Sequence, residues 1–217
     1  MIGKYLLIKE LRLALHPAAM AFLALSSMML IPDYPLYIVF FYTSLGIFFI
    51  CLTGRENRDI SYTISLPVTR RQLVRARMLF AVLLEILQLL IAVPFAVLRQ
   101  NLPVGTNAVG IDANAAFFGS SMLMLGLFNY VYFTSYYRAP DKVGRAFILG
   151  SLAEMLYMLI AETMVHLIPF ARDVLDAPGA TGMAAKLTVL GMGAAAFVLL
   201  TLTAERRAVM HFERLDL

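Results

Sequence analysis

Charged residues and cysteine are scarce in this 217-residue sequence, and both shortages exclude whole classes of protein. Only 15% of positions are charged, against roughly 25% in ordinary soluble domains. A soluble surface cannot be covered with so few. The single cysteine, Cys51, sits inside an apolar run, which excludes an intrachain disulfide and a cysteine-based metal site. The three histidines form no H-E-x-x-H pattern, no aspartate falls deep in an apolar run, and Gly119-Ser120-Ser121 has no histidine partner nearby. An intramembrane protease or other metal-dependent enzyme is therefore disfavoured. No G-x-x-x-x-G-K-S/T sequence is present, so the chain cannot itself cradle nucleotide phosphates. Internal repeats are absent, as is low-complexity sequence apart from the small-residue cluster at 191–196.

What the chain does have is apolar length. Hydrophobic residues make up 61% of it, arranged in six runs at 17–31, 36–53, 78–98, 115–136, 147–168 and 184–203. A bilayer core of about 30 Å takes about 17 to 25 residues per helix. The expected fold class is an all-α integral membrane protein with six transmembrane helices, forming a single transmembrane domain over 1–217. The first run is short, with Lys4, Lys9 and Arg12 ahead of it. It is read as a retained helix preceded by an interfacial segment, 1–16, because its small-residue cleavage candidate falls mid-run. Pro32-Asp33-Tyr34-Pro35 then makes a tight turn. A net charge of +4 would hint at nucleic acid in a soluble protein, but here the distribution of charge argues against that partner. Fifteen of the eighteen Lys and Arg residues fall on one side of the six-helix plan, leaving Arg99, Arg172 and Lys186 on the other. Positive residues stay on the cytoplasmic face, which places both termini, the loop at 54–77 and the tail at 204–217 inside.

That loop is polar and rich in arginine: Arg55, Arg58, Arg70, Arg71, Arg75 and Arg77. Leu66-Pro67 stops any earlier helix, since proline removes a donor and forces its predecessor into extended geometry. Thr69 and Gln72 have the spacing of a capping box, which predicts a new helix from Thr69 to Leu98 about 45 Å long. This exceeds one span, so its base projects from the membrane. There Arg75 and Arg77 are expected to touch lipid phosphates, and Arg70 and Arg71 a protein partner.

The run Glu56-Asn57-Arg58-Asp59 followed by Ser65-Leu66-Pro67-Val68-Thr69-Arg70-Arg71 resembles the cytoplasmic loop of ABC transporter permeases. The likeness is to the compact six-helix bacterial class that exports phenol-soluble modulins and peptide antibiotics, and it extends to the six-helix plan and the Lys4, Lys9, Glu10 segment. The resemblance implies that the 54–77 loop contains a coupling helix seated on a separate ABC ATPase subunit. Glu56, Asn57, Arg58, Asp59, Leu66, Pro67, Arg70 and Arg71 would be its contacts. It further implies a second permease copy, identical or related, in the bacterial cytoplasmic membrane, with an amphipathic peptide or hydrophobic compound exported. The chain would need no cofactor or metal of its own, ATP and Mg being bound by the partner. A small-molecule-binding, sensor or immunity subunit of an energised complex is the alternative.

Within the spans, Glu85, Glu154 and Glu162 are costly, at roughly 2.5–3.5 kcal/mol each on insertion scales. Glu154 and Glu162 lie about 80° apart around a helix, with His166 one turn beyond Glu162. This trio is the candidate substrate pathway, against a satisfied buried pair. For Glu85, about two turns from the cytoplasmic end with Gln88 one turn on, snorkelling or a helix–helix hydrogen bond is expected. Tyr130, Tyr132, Tyr136 and Tyr137 read as an interfacial belt. Gly119 and Gly126, with the 191–196 cluster, mark close helix contacts.

Overall fold

A computed structural model describes residues 2–102 and 107–215. The side chain of Lys4, residues 103–106 of the loop after the third span, and the last two tail residues lie outside the described residues. Among the described residues the protein is helical, without a strand.

Helix α1 (Ile2–Lys9) runs into a π-helical turn at Glu10–Ala14. Pro17 then opens α2 (Pro17–Ala24), where a proline lacks no bond that a first-turn residue would make, and the His16 ring accepts from the Ala18 N–H at 3.1 Å. The segments Tyr5–Ala14 and Pro17–Leu30 meet at 84°. The amino-terminal segment thus lies nearly across the direction of the first span, with Tyr5, Leu11 and Leu13 exposed. The final turns of that span, Leu25–Leu30, are 3-10 helix. A 3-10 helix rises about 2.0 Å per residue, so fourteen residues reach about 24 Å, where an α-helix would reach about 21 Å.

Five further helices are long and apolar enough to cross a membrane. They are α3 (Ile38–Glu56), α5 (Arg70–Asn101), α6 (Ala115–Tyr136), α7 (Val143–Leu167) and α8 (Met183–Glu213). Between α3 and α5 lies the short α4 (Asp59–Ile64). The six expected spans are thus five full-length helices and one short, bent element.

Helix α6 is the most enclosed, with α7 and α8 the least. The core divides along the bundle axis. One large cluster gathers Met29, Tyr37, Phe40, Phe117 and Leu125; a second, nearer α4, gathers Phe128, Tyr132, Phe133, Tyr136 and Val143; a smaller third joins Ala14, Ala19, Ile50, Phe80 and Leu84. The expected tyrosine belt is therefore mostly core. Tyr132, Tyr136 and Tyr137 are buried, and Tyr132 stacks between Phe128 at 4.9 Å and Tyr136 at 5.9 Å. The sequence signal was ambiguous, because a tyrosine can serve either place. Tyr130 keeps an interfacial position, under the Arg207 guanidinium at 5.1 Å.

Helices α6 and α8 touch backbone to backbone, as the small residues predict. A Cβ on Gly119 would fall 2.5 Å from Leu190 Cα, a Cβ on Gly126 3.0 Å from Phe197 Cα, and one on Gly193 would overlap the Gly119 carbonyl. Gly191, two residues earlier on the same helix, has nothing within 4 Å of that position. Alanine at Gly193 is therefore expected to destabilise the bundle by about 1–3 kcal/mol through overpacking. Alanine at Gly191 should be neutral or stabilise by up to about 1 kcal/mol through helix propensity. Thermal unfolding of the two variants in detergent checks the contrast; equal effects would mean that α6 and α8 are not in close contact.

Candidate functional site

The 54–77 loop is built from local rules. Helix α3 ends at Glu56, and a two-residue turn follows, with Arg58 in the left-handed region at φ 52°. Helix α4 stops at Ile64, and the turn through Leu66 and Pro67 leads to α5. There Thr69 and Gln72 form the capping box: the Gln72 N–H donates to Thr69 Oγ1 at 3.2 Å, and the Thr69 N–H to Gln72 Oε1 at 2.9 Å. The inner face of α4 is apolar, with Ile60 and Ile64 packed on the core and Thr63 buried. Its outer face and flanking turns leave Glu56, Asn57, Arg58, Tyr62, Leu66, Pro67 and Arg71 exposed.

A buried charge cluster fixes α4 from behind. Arg77, expected at the lipid surface, is instead buried in the bundle, its side chain 4% exposed. Its Nε lies 2.5 Å from Glu10 Oε2, an ion pair without the alignment of a hydrogen bond. Its Nη2 donates to Asp59 Oδ2 at 2.5 Å. Lys9 Nζ donates to Asp59 Oδ1 at 2.7 Å and to Thr63 Oγ1 at 3.0 Å, and lies 3.2 Å from Glu10. Two cations thus balance two carboxylates across α1, α4 and α5. Gly54 of α3 makes the room, since a Cβ there would sit 3.1 Å from Arg77 Nη1. The clue available in the sequence was the pairing of a membrane-boundary arginine with Glu10 and Asp59, but nothing local shows that distant residues meet. Asp59 therefore spends both oxygens inward, away from the outer face of α4.

Arg70 is similarly committed. Its Nη1 donates to the carbonyls of Phe212, Glu213 and Leu215 at 3.0, 3.2 and 2.5 Å. These are carbonyls that a helix end cannot satisfy itself, so Arg70 ties the carboxy-terminal end of α8 to the start of α5. Arg71, next to it, remains exposed.

A family model described as ABC-2 family transporter protein matches residues 5–203, from α1 through the membrane part of α8. The chain belongs to the ABC-2 transporter family. No curated protein and no solved structure matches it. It is thus an ABC transporter permease: a multi-pass membrane subunit, not itself catalytic, of a family that works with an ABC ATPase.

The permease's intramembrane carboxylates do not converge. Glu154 is buried and accepts from Ser44 Oγ at 2.6 Å, clasping α7 to α3. Glu85 accepts from Asn129 Nδ2 at 2.9 Å, and Asn129 also donates to Thr201 at 3.2 Å, joining α5, α6 and α8. Of the two expectations for Glu85, the structure has the helix–helix bond rather than snorkelling, and Gln88 one turn on donates to Ser26 at 2.8 Å. Glu162 is half-buried against Gly110, where any Cβ would overlap its carboxylate. His166 bonds the Val109 carbonyl at 3.0 Å. The structure therefore sends Glu154 toward α3, and Glu162 and His166 toward the loop between α5 and α6.

That loop is part of a polar cap closing the end of the bundle away from α4. Arg99 Nη1 donates to the carbonyls of Met29 and Ile31 at 2.7 and 2.8 Å, at the end of the first span. The Asp112 N–H donates to Asp176 Oδ1 at 2.7 Å, and Asn114 Nδ2 to the Leu175 carbonyl at 2.8 Å. Lys186 donates to the carbonyls of Ala177 and Gly179 at 2.5 and 3.3 Å. Burial raises Asp176 from an ordinary 3.8 to about 6, against the opposing Asp112 N–H, Lys186 and His166 and with the help of nearby Asp112.

Two predictions follow from these geometries. Replacing Arg77 with Ala strands Glu10 and Asp59 in the interior, and the loss is expected to be about 3–5 kcal/mol, the cost of breaking a buried pair. Arg75, whose pair with Glu205 is exposed, should cost less than about 1 kcal/mol when changed to Ala; thermal unfolding in detergent separates the two. For the cap, the folded state binds a proton at Asp176 more tightly than the unfolded chain does. Its stability therefore rises as pH falls from about 7 through about 6 toward 4, and is lost on the way back up. Amide hydrogen exchange at 107–114 and 171–177, corrected for the intrinsic pH effect, should slow accordingly. In Asp176→Asn, which keeps the acceptor oxygen, the dependence should shrink.

Proposed function

We propose that this permease is the membrane half of an exporter driven by a separately encoded ABC ATPase, which docks on the exposed face of α4 and its flanking turns. The observation that carries the proposal is the two-sided build of α4. One side offers Glu56, Asn57, Arg58, Tyr62, Leu66 and Arg71 to solvent; the other is keyed to α1 and α5 through Asp59, Arg77 and Glu10. An element that only joined two spans would need neither. ATP binding closes the motor, and the push on α4 passes through Asp59 to Arg77. Helix α1, α4 and the base of α5 then move as one body, a rigid-body transition of the kind that interfaces convert into alternating states. Arg70 adds the end of α8 to that body.

The arginine asymmetry supports a placement with both termini and α4 in the cytoplasm of a bacterial cell. A second copy or a related permease completes the pathway. The cargo class is an amphipathic peptide or hydrophobic compound, in keeping with the lipid-like outer faces of α5, α7 and α8.

The test is affinity purification of the tagged chain from gently solubilised native membranes. Wild type should retain an ABC ATPase, and the variant Leu66→Ala with Arg71→Glu should lose it at normal membrane level. Absence of an ATPase from the wild-type complex would reject the docking assignment. Asp59→Asn is expected to behave differently, keeping the ATPase bound while lowering transport per ATP hydrolysed; normal coupling in that variant would remove the transmission role from the buried cluster.

A further inference from the structure

The junction of α6 and α7 carries a charged feature that ATPase docking does not use. Ser135 and Arg138 at the end of α6, Ala139 and Lys142 in the connection, and Arg145 and Leu149 on α7 line a cavity of about 280 Å³. That is roughly nine water volumes, room for a phosphodiester group. Three cations line it, with no carboxylate among the lining residues.

Several other cations in the chain are committed elsewhere; what these three share is one recess. Lys9, Arg75, Arg77, Arg99 and Arg172 are in ion pairs, and Arg70 and Lys186 are spent on carbonyls. Among the described residues, Arg138, Lys142 and Arg145 are in no ion pair. The three are exposed to solvent, which screens their mutual repulsion, and together they make a recess that attracts an anion. The positive field reaches further. His211, at the membrane-distal end of α8, is held below its ordinary value, by burial first and then by Arg138, Arg214 and Arg207.

The surface beside the cavity tells which anion fits. From Arg145, Leu149, Leu152 and Leu156 follow at intervals of four, three and four residues, so they form one stripe along α7. Among the described residues they are exposed by 40%, 62% and 58% respectively. A cationic recess at the head of an exposed apolar stripe is the shape of a phospholipid: a phosphate above, an acyl chain below. We propose that this cavity binds the headgroup phosphate of an anionic phospholipid, whose acyl chain lies along Leu149, Leu152 and Leu156. A free phosphate would use the cations alone and leave the stripe without a role.

The experiment uses the full chain purified in a neutral detergent, with lipid retention measured by native mass spectrometry. Phosphatidylglycerol, phosphatidylcholine and inorganic phosphate are the probes. Wild type is expected to retain phosphatidylglycerol in preference to phosphatidylcholine. Changing Arg138, Lys142 and Arg145 to Gln should weaken retention roughly fivefold for each cation removed. Ala139→Trp, which fills the cavity and leaves every charge in place, should weaken it as well, and it alone decides the matter if the triple variant does not reach the membrane. Equal retention of the two lipids, or unchanged retention in Ala139→Trp, would overturn the proposal. So would displacement of phosphatidylglycerol by inorganic phosphate at comparable concentration, which would make the site one for a soluble anion.

Discussion

A guanidinium buried among helices cannot stand alone, and much of the α4 end of this permease is arranged around meeting that demand for Arg77. An ion taken from water into a protein interior costs several kcal/mol, recovered only by well-placed opposite charge. Glu10 and Asp59 supply it, Lys9 restores neutrality, and Gly54 leaves the space. Because those groups come from α1, α3, α4 and α5, the electrostatic requirement becomes a mechanical one. Neither α4, the base of α5 nor the amino-terminal segment can shift far without exposing an unpaired charge, and α3 supplies the space. The short α4 needs such anchoring beside the packing of Ile60 and Ile64, since six residues make a marginal helix on their own.

The opposite end of the bundle solves a different problem with different means. There few charges meet charges. Arg99 and Lys186 meet carbonyls, and Asp176 and Asp33 meet backbone N–H groups. These bonds satisfy loop and helix-end groups that would otherwise be orphaned near the membrane, where an unpaired backbone group is most costly. Between the two ends, the middle of the bundle relies on close glycine contacts and two isolated carboxylate clasps, Glu154 with Ser44 and Glu85 with Asn129.

Long apolar runs, a proline stop and a capping box depend on neighbours within a few residues, and for these the sequence was readable almost to the boundary. The start of α5 at Arg70 after Thr69, and the α6–α8 contact through Gly119 and the 191–196 cluster, are of this kind. What remained hidden depends on distant pairs. Arg77 looked like a lipid anchor because membrane-edge arginines usually are; its partners are 18 and 67 positions away in the chain. Tyr132 and Tyr136 looked like belt residues because depth in a membrane can be read from sequence while rotation about the helix axis cannot. Glu154 and Glu162 shared one broad face, yet 80° of rotation was enough to send one to α3 and the other to the outer loop.

The first span has a consequence for the membrane itself. At about 24 Å, Pro17–Leu30 is shorter than the hydrocarbon layer of about 30 Å that its neighbours are long enough to cross. Arg99 also brings a charge to the carbonyls at its end. An element this short leaves part of the bilayer's hydrophobic thickness to its surroundings, whether local thinning, side chains that reach to the headgroups or a neighbouring subunit takes it up.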